Sequence, residues 1–326
     1  MLKLSVAPES WPIAGNFTIS RGSKTSAEVV VVKLSDGTST GHGECVPYPR
    51  YNETVEGVIS ALGAARGKIE AGFTHTEIPS LVVPRAARNA LDCALWDLEA
   101  KRNATPAWQL AKLREPHPMV TAFTLSLDTP EAMAKAAEEA ADRPLLKLKL
   151  GREGDIERLK LIRRAAPKSR LIVDANEGWS PDQLAELLKA CADVGVELIE
   201  QPLPAGDDEV LLHIEHTVAI CADESAHDLG GLHKLVSKYD AINIKLDKTG
   251  GLTEALTLAH AATEMNFKIM VGCMLATSLA MAPAMLVAQF AQVIDLDGPL
   301  LLARDRNPGI NFDGSLMYPA PPELWG

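Results

Sequence analysis

Six segments of this chain end in charged residues where a buried strand would ordinarily end in apolar or small ones: Lys147-Leu148-Lys149, Asp174, Glu200, Asp223, Lys245 and Asp295-Leu296-Asp297. Unpaired buried charge is strongly unfavourable, so stability alone does not explain such a set; a functional site does. Asp174, Glu200 and Asp223 offer three oxygen ligands with no histidine or cysteine among them, which suits a hard cation. Mg²⁺, one per chain, is the expected ion, with water and substrate completing the octahedron and Mn²⁺ as a substitute. A lysine–carboxylate network without metal is the competing reading, opposed by the repulsion of three carboxylates with nothing between them. Lys149 precedes the three acidic residues in the chain and Lys245 follows them, which places an amine on each side of a bound substrate. Burial, a cation and a neighbouring lysine each lower a lysine pKa, as a general base working near neutrality requires. The chemistry would be removal of a proton α to a carboxylate from one face and its return from the other, the metal holding the enediolate. Lys147 would position the substrate carboxylate and tune Lys149. A Schiff-base lysine is the alternative on these residues, but imine chemistry needs no metal and leaves the acidic trio unexplained.

Strands carry these residues. Residues 144–151 read as a short buried strand in which Lys147 and Lys149 point to the same side. From about residue 119 onward, short apolar strands alternate with amphipathic helices. The expected strands cover 120–127, 145–150, 171–174, 197–200, 219–223, 241–246, 268–272 and 293–296. From the second strand on, strand ends recur every roughly 22 to 27 residues, the rhythm of a closed (β/α) barrel. No Gly-x-Gly-x-x-Gly turn marks a doubly wound sheet. Ser180 as N-cap with Pro181 at the first helical position opens a helix over 181–192. Residues 1–117 lack this alternation. Strands are expected at 28–34 and 40–45, joined through an Asp36-Gly37 turn, followed by helices of which 85–102 is the clearest. The expected organisation is an α+β unit over 1–117, completed by the tail at about 300–326, and a barrel over 118–299.

The net charge of −11 and the absence of a basic stretch argue against nucleic acid and anionic membrane as partners. Cys45, Cys93, Cys191, Cys221 and Cys273 are scattered and odd in number, which suits a reducing cytoplasm. No signal-peptide core follows Met1, and the apolar stretch 275–290, interrupted by polar residues and Pro283, is expected to be a buried helix rather than a membrane span. The sequence leaves oligomeric state open and is compatible with a homo-oligomer.

The Lys147/Lys149 pair, the Asp174, Glu200 and Asp223 set, Lys245, and the stretch 41–51 (Gly-His-Gly-Glu-Cys-Val-Pro-Tyr-Pro-Arg-Tyr) together resemble the enolase superfamily in its muconate-lactonizing subgroup. The resemblance covers nearly the whole chain. It implies an α/β fold in which an N-terminal α+β capping domain lies over a (β/α)₇β TIM-like barrel. Asp295-Leu296-Asp297-Gly298-Pro299 is closer to the dipeptide epimerases, especially those acting on L-Ala-D/L-Glu, where an Asp-x-Asp binds the free ammonium of the N-terminal residue. Residues 19–23 resemble the mobile cap loop of those enzymes, and Arg21 would suit an acidic side chain. The implied substrate is a dipeptide from cell-wall peptide turnover.

Lesser candidates are Thr124 as a hydrogen-bond partner of substrate, and Cys273 and Met274 as pocket lining. Asn176 and Glu224 would support the metal ligands, Glu44 and Tyr51 would pack the cap, and His213 and His216 would form a helix face. Rival activities on the same residues are o-succinylbenzoate synthesis, cycloisomerisation or epimerisation of other dipeptides. The two aspartates oppose the first two, because their ligand would be an ammonium that those substrates lack. A non-catalytic barrel would be expected to have lost a lysine or an acidic ligand, and none is missing.

Overall fold

The computed structural model describes residues 1–326. The chain begins with an antiparallel sheet of β1 (Lys3–Ile19), β2 (Gly22–Ser35) and β3 (Thr40–Cys45), in that order. The expected strands at 28–34 and 40–45 correspond to the C-terminal half of β2 and to β3, whereas β1 was not expected. That strand carries Pro8 and Pro12, and its register with β2 breaks between Pro12 and Phe17. Prolines are tolerated there because β1 is an edge strand, where missing amide donors disrupt no ladder. The valines of β2 alternate between two cores. Val30 and Val32 join the helices of the cap, whereas Val29 and Val31 join the main core of the barrel. The helix Arg85–Asn103 lies directly on β3, and glycine is required at the contact. A Cβ on Gly41 or Gly43 would stand 2.1 Å from the carbonyl oxygen of Ala94 or Ala90.

β4 (Met119–Val120) leads into eight parallel strands paired in chain order. They are β5 (Phe123–Leu125), β6 (Leu145–Lys149), β7 (Arg170–Asp174), β8 (Val196–Glu200), β9 (Ala219–Ala222), β10 (Ala241–Ile244), β11 (Lys268–Gly272) and β12 (Val293–Asp295). The Ala122 amide donates to the Ile294 carbonyl at 2.8 Å and brings the first and last strands together. The result is the capped (β/α)₇β barrel, with helices between strands; those after β8 and β9 shrink to the short turns Glu209–His213 and Leu229–Leu232. The expected strand over 120–127 is split. β4 pairs with β14 (Leu316–Met317), itself hairpinned to β13 (Phe312–Asp313), and only β5 enters the barrel. The tail therefore holds the barrel base as well as the cap, where the Trp325 indole donates to the Cys93 carbonyl at 3.0 Å.

Ser180 occupies the N-cap of the helix Pro181–Asp193, but its hydroxyl donates to Gln183 Oε1 rather than accepting a backbone amide. Residues 278–287 form a buried helix that contains Pro283, and no helix is long and apolar enough to cross a membrane. His213 ends a 3₁₀ turn, and His216 bonds Asp240 and the Leu211 carbonyl, so the expected shared helix face does not form. All five thiols are free.

Candidate active site

Strand periodicity builds the site in layers. The barrel interior holds an apolar ring of Ala122, Leu145, Ile172, Leu198, Cys221, Ala241 and Met270. Adding two to each position gives Thr124, Lys147, Asp174, Glu200, Asp223, Asn243 and Gly272, and Asp295 completes the ring on β12. Residues two apart on a strand share a face, so this second ring sits directly above the first. One step higher come Lys149, Lys245 and Asp297. Gly272 is the gap in the ring. A Cβ there would lie 2.7 Å from Asn243 Oδ1 and 3.1 Å from Lys245 Cε, so glycine leaves the space through which Lys245 reaches inward.

Each acidic residue of that ring meets an ammonium. Lys149 donates to Asp174 Oδ2 at 2.6 Å. Lys147 donates to Asp295 Oδ2 at 2.6 Å and lies 2.6 Å from Glu200 Oε2 and 3.2 Å from Asp174 Oδ2. Lys245 donates to Asp223 Oδ2 at 2.7 Å and lies 3.5 Å from Glu200 Oε1. These contacts reverse one expectation. Burial lowers the Lys147 and Lys245 pKa values, but Asp295, Glu200 and Asp174 around the first, and Asp223 and Glu200 around the second, raise both well above the usual lysine range. Burial pushes Asp174 and Asp223 up, yet the lysines hold both below the usual carboxylate range. Glu200 is raised, by burial and then by Asp174.

Two participants escaped the sequence reading. Lys248 is fully buried and donates to Asp223 Oδ1 at 2.5 Å, to the Asp223 carbonyl at 2.6 Å and to the Asn243 carbonyl at 2.9 Å. Asn243 donates to Glu200 Oε1 at 2.6 Å. The signals were present: Asn243 is two residues inward from Ala241, and Lys248 is three beyond Lys245 on the turn Leu246–Thr249, hence on the same helical face. Asp247 anchors that turn to the cap by accepting from Asn89 Nδ2 at 2.8 Å and the Val46 amide at 3.1 Å. Replacing Lys248 with Met strips the buried Asp223 of one counter-ion, and breaking such a pair costs about 3 kcal/mol or more. The Lys248→Met protein is expected to melt several degrees lower in calorimetry; an unchanged Tm would show that Lys245 alone suffices.

A cavity of ≈ 510 Å³ lies between cap and barrel, lined by Arg21, Tyr51, Lys149, Asp223, Lys245 and Met274 among others. Cys273, Asn176 and Glu224 also reach it. Thr124, Lys147, Asp174, Glu200 and Asp295, of the ring beneath, do not line it, nor does the buried Asp297. The Thr124 amide donates to Asp297 Oδ2 at 2.7 Å, and Asp295 Oδ1 is buried without a hydrogen-bond partner. Burial and then Asp295 push Asp297 up to about 7. Glu44 is more than cap packing. Its carboxylate accepts from the Thr277 amide and hydroxyl and from Arg306, and so clamps cap, barrel and tail together.

A divalent cation fits this donor set in chemistry. Three carboxylates stand at the ends of the neighbouring strands β7, β8 and β9, and Glu200 Oε2 is buried with no properly angled donor although Lys147 Nζ is near. As placed, no three acidic groups converge at coordinating distance, because ammonium groups lie between them. A cation would therefore compete with lysines for the same oxygens.

Residues 1–111 match the mandelate racemase/muconate lactonizing enzyme N-terminal domain, and residues 132–309 match the enolase C-terminal domain-like family. The chain is 44% identical to the L-Ala-D/L-Glu epimerase of Escherichia coli K12, over 96% of this chain and 98% of that one. It is 43% identical to an N-acetyl-D-glutamate racemase of a Pseudoalteromonas species, over 91% and 95%. Among solved structures, an enolase family member from Agrobacterium tumefaciens with homology to dipeptide epimerases superposes with a TM-score of 0.98 at 54% identity, covering all of both chains. It holds sodium and L-Ala-L-Glu with an ordered loop. A dipeptide epimerase from Enterococcus faecalis V583, complexed with Mg and L-Leu-L-Tyr, gives 0.89 at 29% identity over 97% and 96%.

Proposed function

The chain belongs to the mandelate racemase/muconate lactonizing enzyme family of enolase-like proteins, and from that premise we propose that it epimerises dipeptides at the α-carbon of the C-terminal residue, interconverting L-Ala-L-Glu and L-Ala-D-Glu. It is an isomerase acting on amino acid derivatives. One observation carries the reading. Lys149 ends β6 and Lys245 follows β10, four strands apart in a ring of eight, and both open onto one cavity. Amines on opposite walls serve opposite faces of a planar carbon.

In this reading one lysine, neutral, takes the α-proton, while the other, protonated, delivers a proton from the far side. The reverse reaction exchanges their roles. Asp174, Glu200 and Asp223 would hold Mg²⁺, which supplies positive charge where the substrate carboxylate gains electron density. With Asp223 engaged in that way, the carboxylate that raises the Lys245 pKa would be drawn off, and that amine would become available as a base. Lys147 stays charged between Asp295 and Glu200 and orients the carboxylate. Met274 lines the side-chain pocket and Arg21 meets the γ-carboxylate of the substrate. The α-proton signal of L-Ala-D-Glu should decay in D₂O with Mg²⁺ and enzyme, read by proton NMR. A signal that persists undiminished would remove the assignment.

The recognition of the substrate amino terminus has two readings. Asp295 Oδ1, buried without a partner, favours an ammonium bound by Asp295 and Asp297, with the Thr124 segment holding the latter in place. The separation of both aspartates from the cavity lining favours an N-acylated glutamate. The two differ in pH dependence. Asp297 is neutral below about 7 and ionised above it, so the KM of a free-amino dipeptide should fall as pH rises through that value, whereas the KM of N-acetylglutamate should not follow. Replacing Asp297 with Asn should raise the dipeptide KM by roughly tenfold to a hundredfold, the worth of one charge-assisted bond. Equal effects on both substrates would favour the acyl reading.

A further inference from the structure

The tip of the β1–β2 hairpin does not hang over the cavity; it is fastened. The Ser20 hydroxyl donates to the Asn176 carbonyl at 2.9 Å. Both terminal nitrogens of Arg21 are engaged. Nη1 donates to the Asn176 carbonyl at 2.8 Å and to Glu177 Oε2 at 3.1 Å, and Nη2 donates to Glu224 Oε1 at 2.7 Å and to Tyr48 Oη at 3.3 Å. A guanidinium so occupied has little left for a substrate carboxylate. One of its protein partners has to yield.

The two carboxylates are not equal in this respect. Glu177 is a fixed anchor, because it also takes both forks of Arg50 at 2.8 Å and the Ala205 amide at 2.8 Å. Glu224 has only Arg21 on Oε1, while its Oε2 is buried with no partner. Its side chain is 2% exposed, and it shares the cavity wall with Arg21. It is the half-satisfied member of the cluster, it stands where a ligand would arrive, and it carries the same functional group as the side chain of a glutamyl substrate. We propose that Glu224 is an internal stand-in for the substrate's side-chain carboxylate, holding Arg21 and the hairpin tip on the barrel until an acidic C-terminal residue displaces it from the guanidinium. This rests on the reading of Arg21 as the group that meets the acidic side chain.

The consequence is a selectivity set by difference. A neutral dipeptide carries nothing that can displace Glu224 and gains nothing from Arg21. An acidic one gains Arg21 only to the extent that it outcompetes a carboxylate already in place, so Glu224 limits the preference for acidic substrates while keeping the tip closed in the free enzyme.

Glu224→Gln keeps the shape and removes the competing charge. The ratio of kcat/KM for L-Ala-L-Glu over L-Ala-L-Gln should rise by about tenfold, the equivalent of one charge-assisted bond, with the change in the KM of the acidic dipeptide. Taking a ratio cancels any effect on the neighbouring Asp223. Without substrate, amides of residues 17–24 should exchange hydrogen faster in this variant than in the parent. Arg21→Met, measured alongside, separates the two layers of the argument. If it leaves the acidic-to-neutral ratio unchanged, Arg21 does not read the side chain and the stand-in falls with it. If it collapses the ratio while Glu224→Gln neither raises the ratio nor loosens the hairpin, the role of Arg21 stands and that of Glu224 is refuted.

Discussion

Lys245→Ala should abolish net inversion of L-Ala-D/L-Glu, with a loss of about 10³-fold or more, while Lys149 continues to exchange the α-proton of one epimer with D₂O. General acid–base groups contribute of order 10²–10⁴-fold each, and inversion needs both faces whereas exchange needs one. The architecture makes the substitution readable. Asp223 loses Lys245 but keeps Lys248 on Oδ1, and Asn243 still donates to Glu200, so the variant should fold, with a Tm lowered by several degrees as for Lys248→Met. Proton NMR in D₂O with each epimer separately gives exchange, and polarimetry gives inversion. Exchange confined to one epimer, without inversion, is the expected pattern; inversion at the parent rate would reject the two-face scheme.

Chelation should have an equally large effect on turnover and a small one on the fold. EDTA treatment followed by buffer exchange should stop both exchange and inversion, Mg²⁺ should restore them, and Mn²⁺ should substitute. The reason lies in what the lysines do. Lys147, Lys149, Lys245 and Lys248 already face the carboxylates of Asp174, Glu200, Asp223 and Asp295. The stripped protein is therefore charge-compensated and should lose only the stabilisation that ligand mass action supplies, about 3 kcal/mol at a hundredfold excess over Kd. It should also be inert, since Lys245 held protonated by Asp223 and Glu200 does not abstract a proton. Titration calorimetry of the substrate-free protein should show Mg²⁺ binding, abolished by Glu200→Gln. Full turnover in a preparation shown to be free of metal would overturn the assignment of the acidic trio.

Much of the fold was legible because it follows from short-range periodicity. Leu146 and Leu148 alternate with Lys147 and Lys149, and that alternation marked β6 as a strand with one polar face. The same rule located the β7 and β8 ends at Asp174 and Glu200. It failed where tertiary context replaced local pattern. β1 reads poorly because Pro8 and Pro12 are acceptable only at a sheet edge, and edges are invisible in one dimension. The stretch 120–127 reads as one strand but divides between two sheets, because the tail supplies β14 as a second partner for Met119 and Val120. Asn243 and Lys248 passed unnoticed because an inward-facing amide and a lysine on a short turn look ordinary until the Glu200 and Asp223 oxygens beside them are seen.

What the chain alone determined is the inventory: charged residues at the ends of short apolar strands, spaced so that the strands close into a barrel. That much follows from the alternation of side chains along a strand and needs no knowledge of neighbours. Which ammonium meets which carboxylate, whether Arg21 faces a substrate or Glu224, and in which direction the lysine pKa values move were decided only by the folded molecule. Those properties depend on distances across the barrel. The expected depression of Lys245 became a rise once Asp223 proved to be 2.7 Å away, because Coulomb attraction at contact outweighs desolvation when the partner is itself buried.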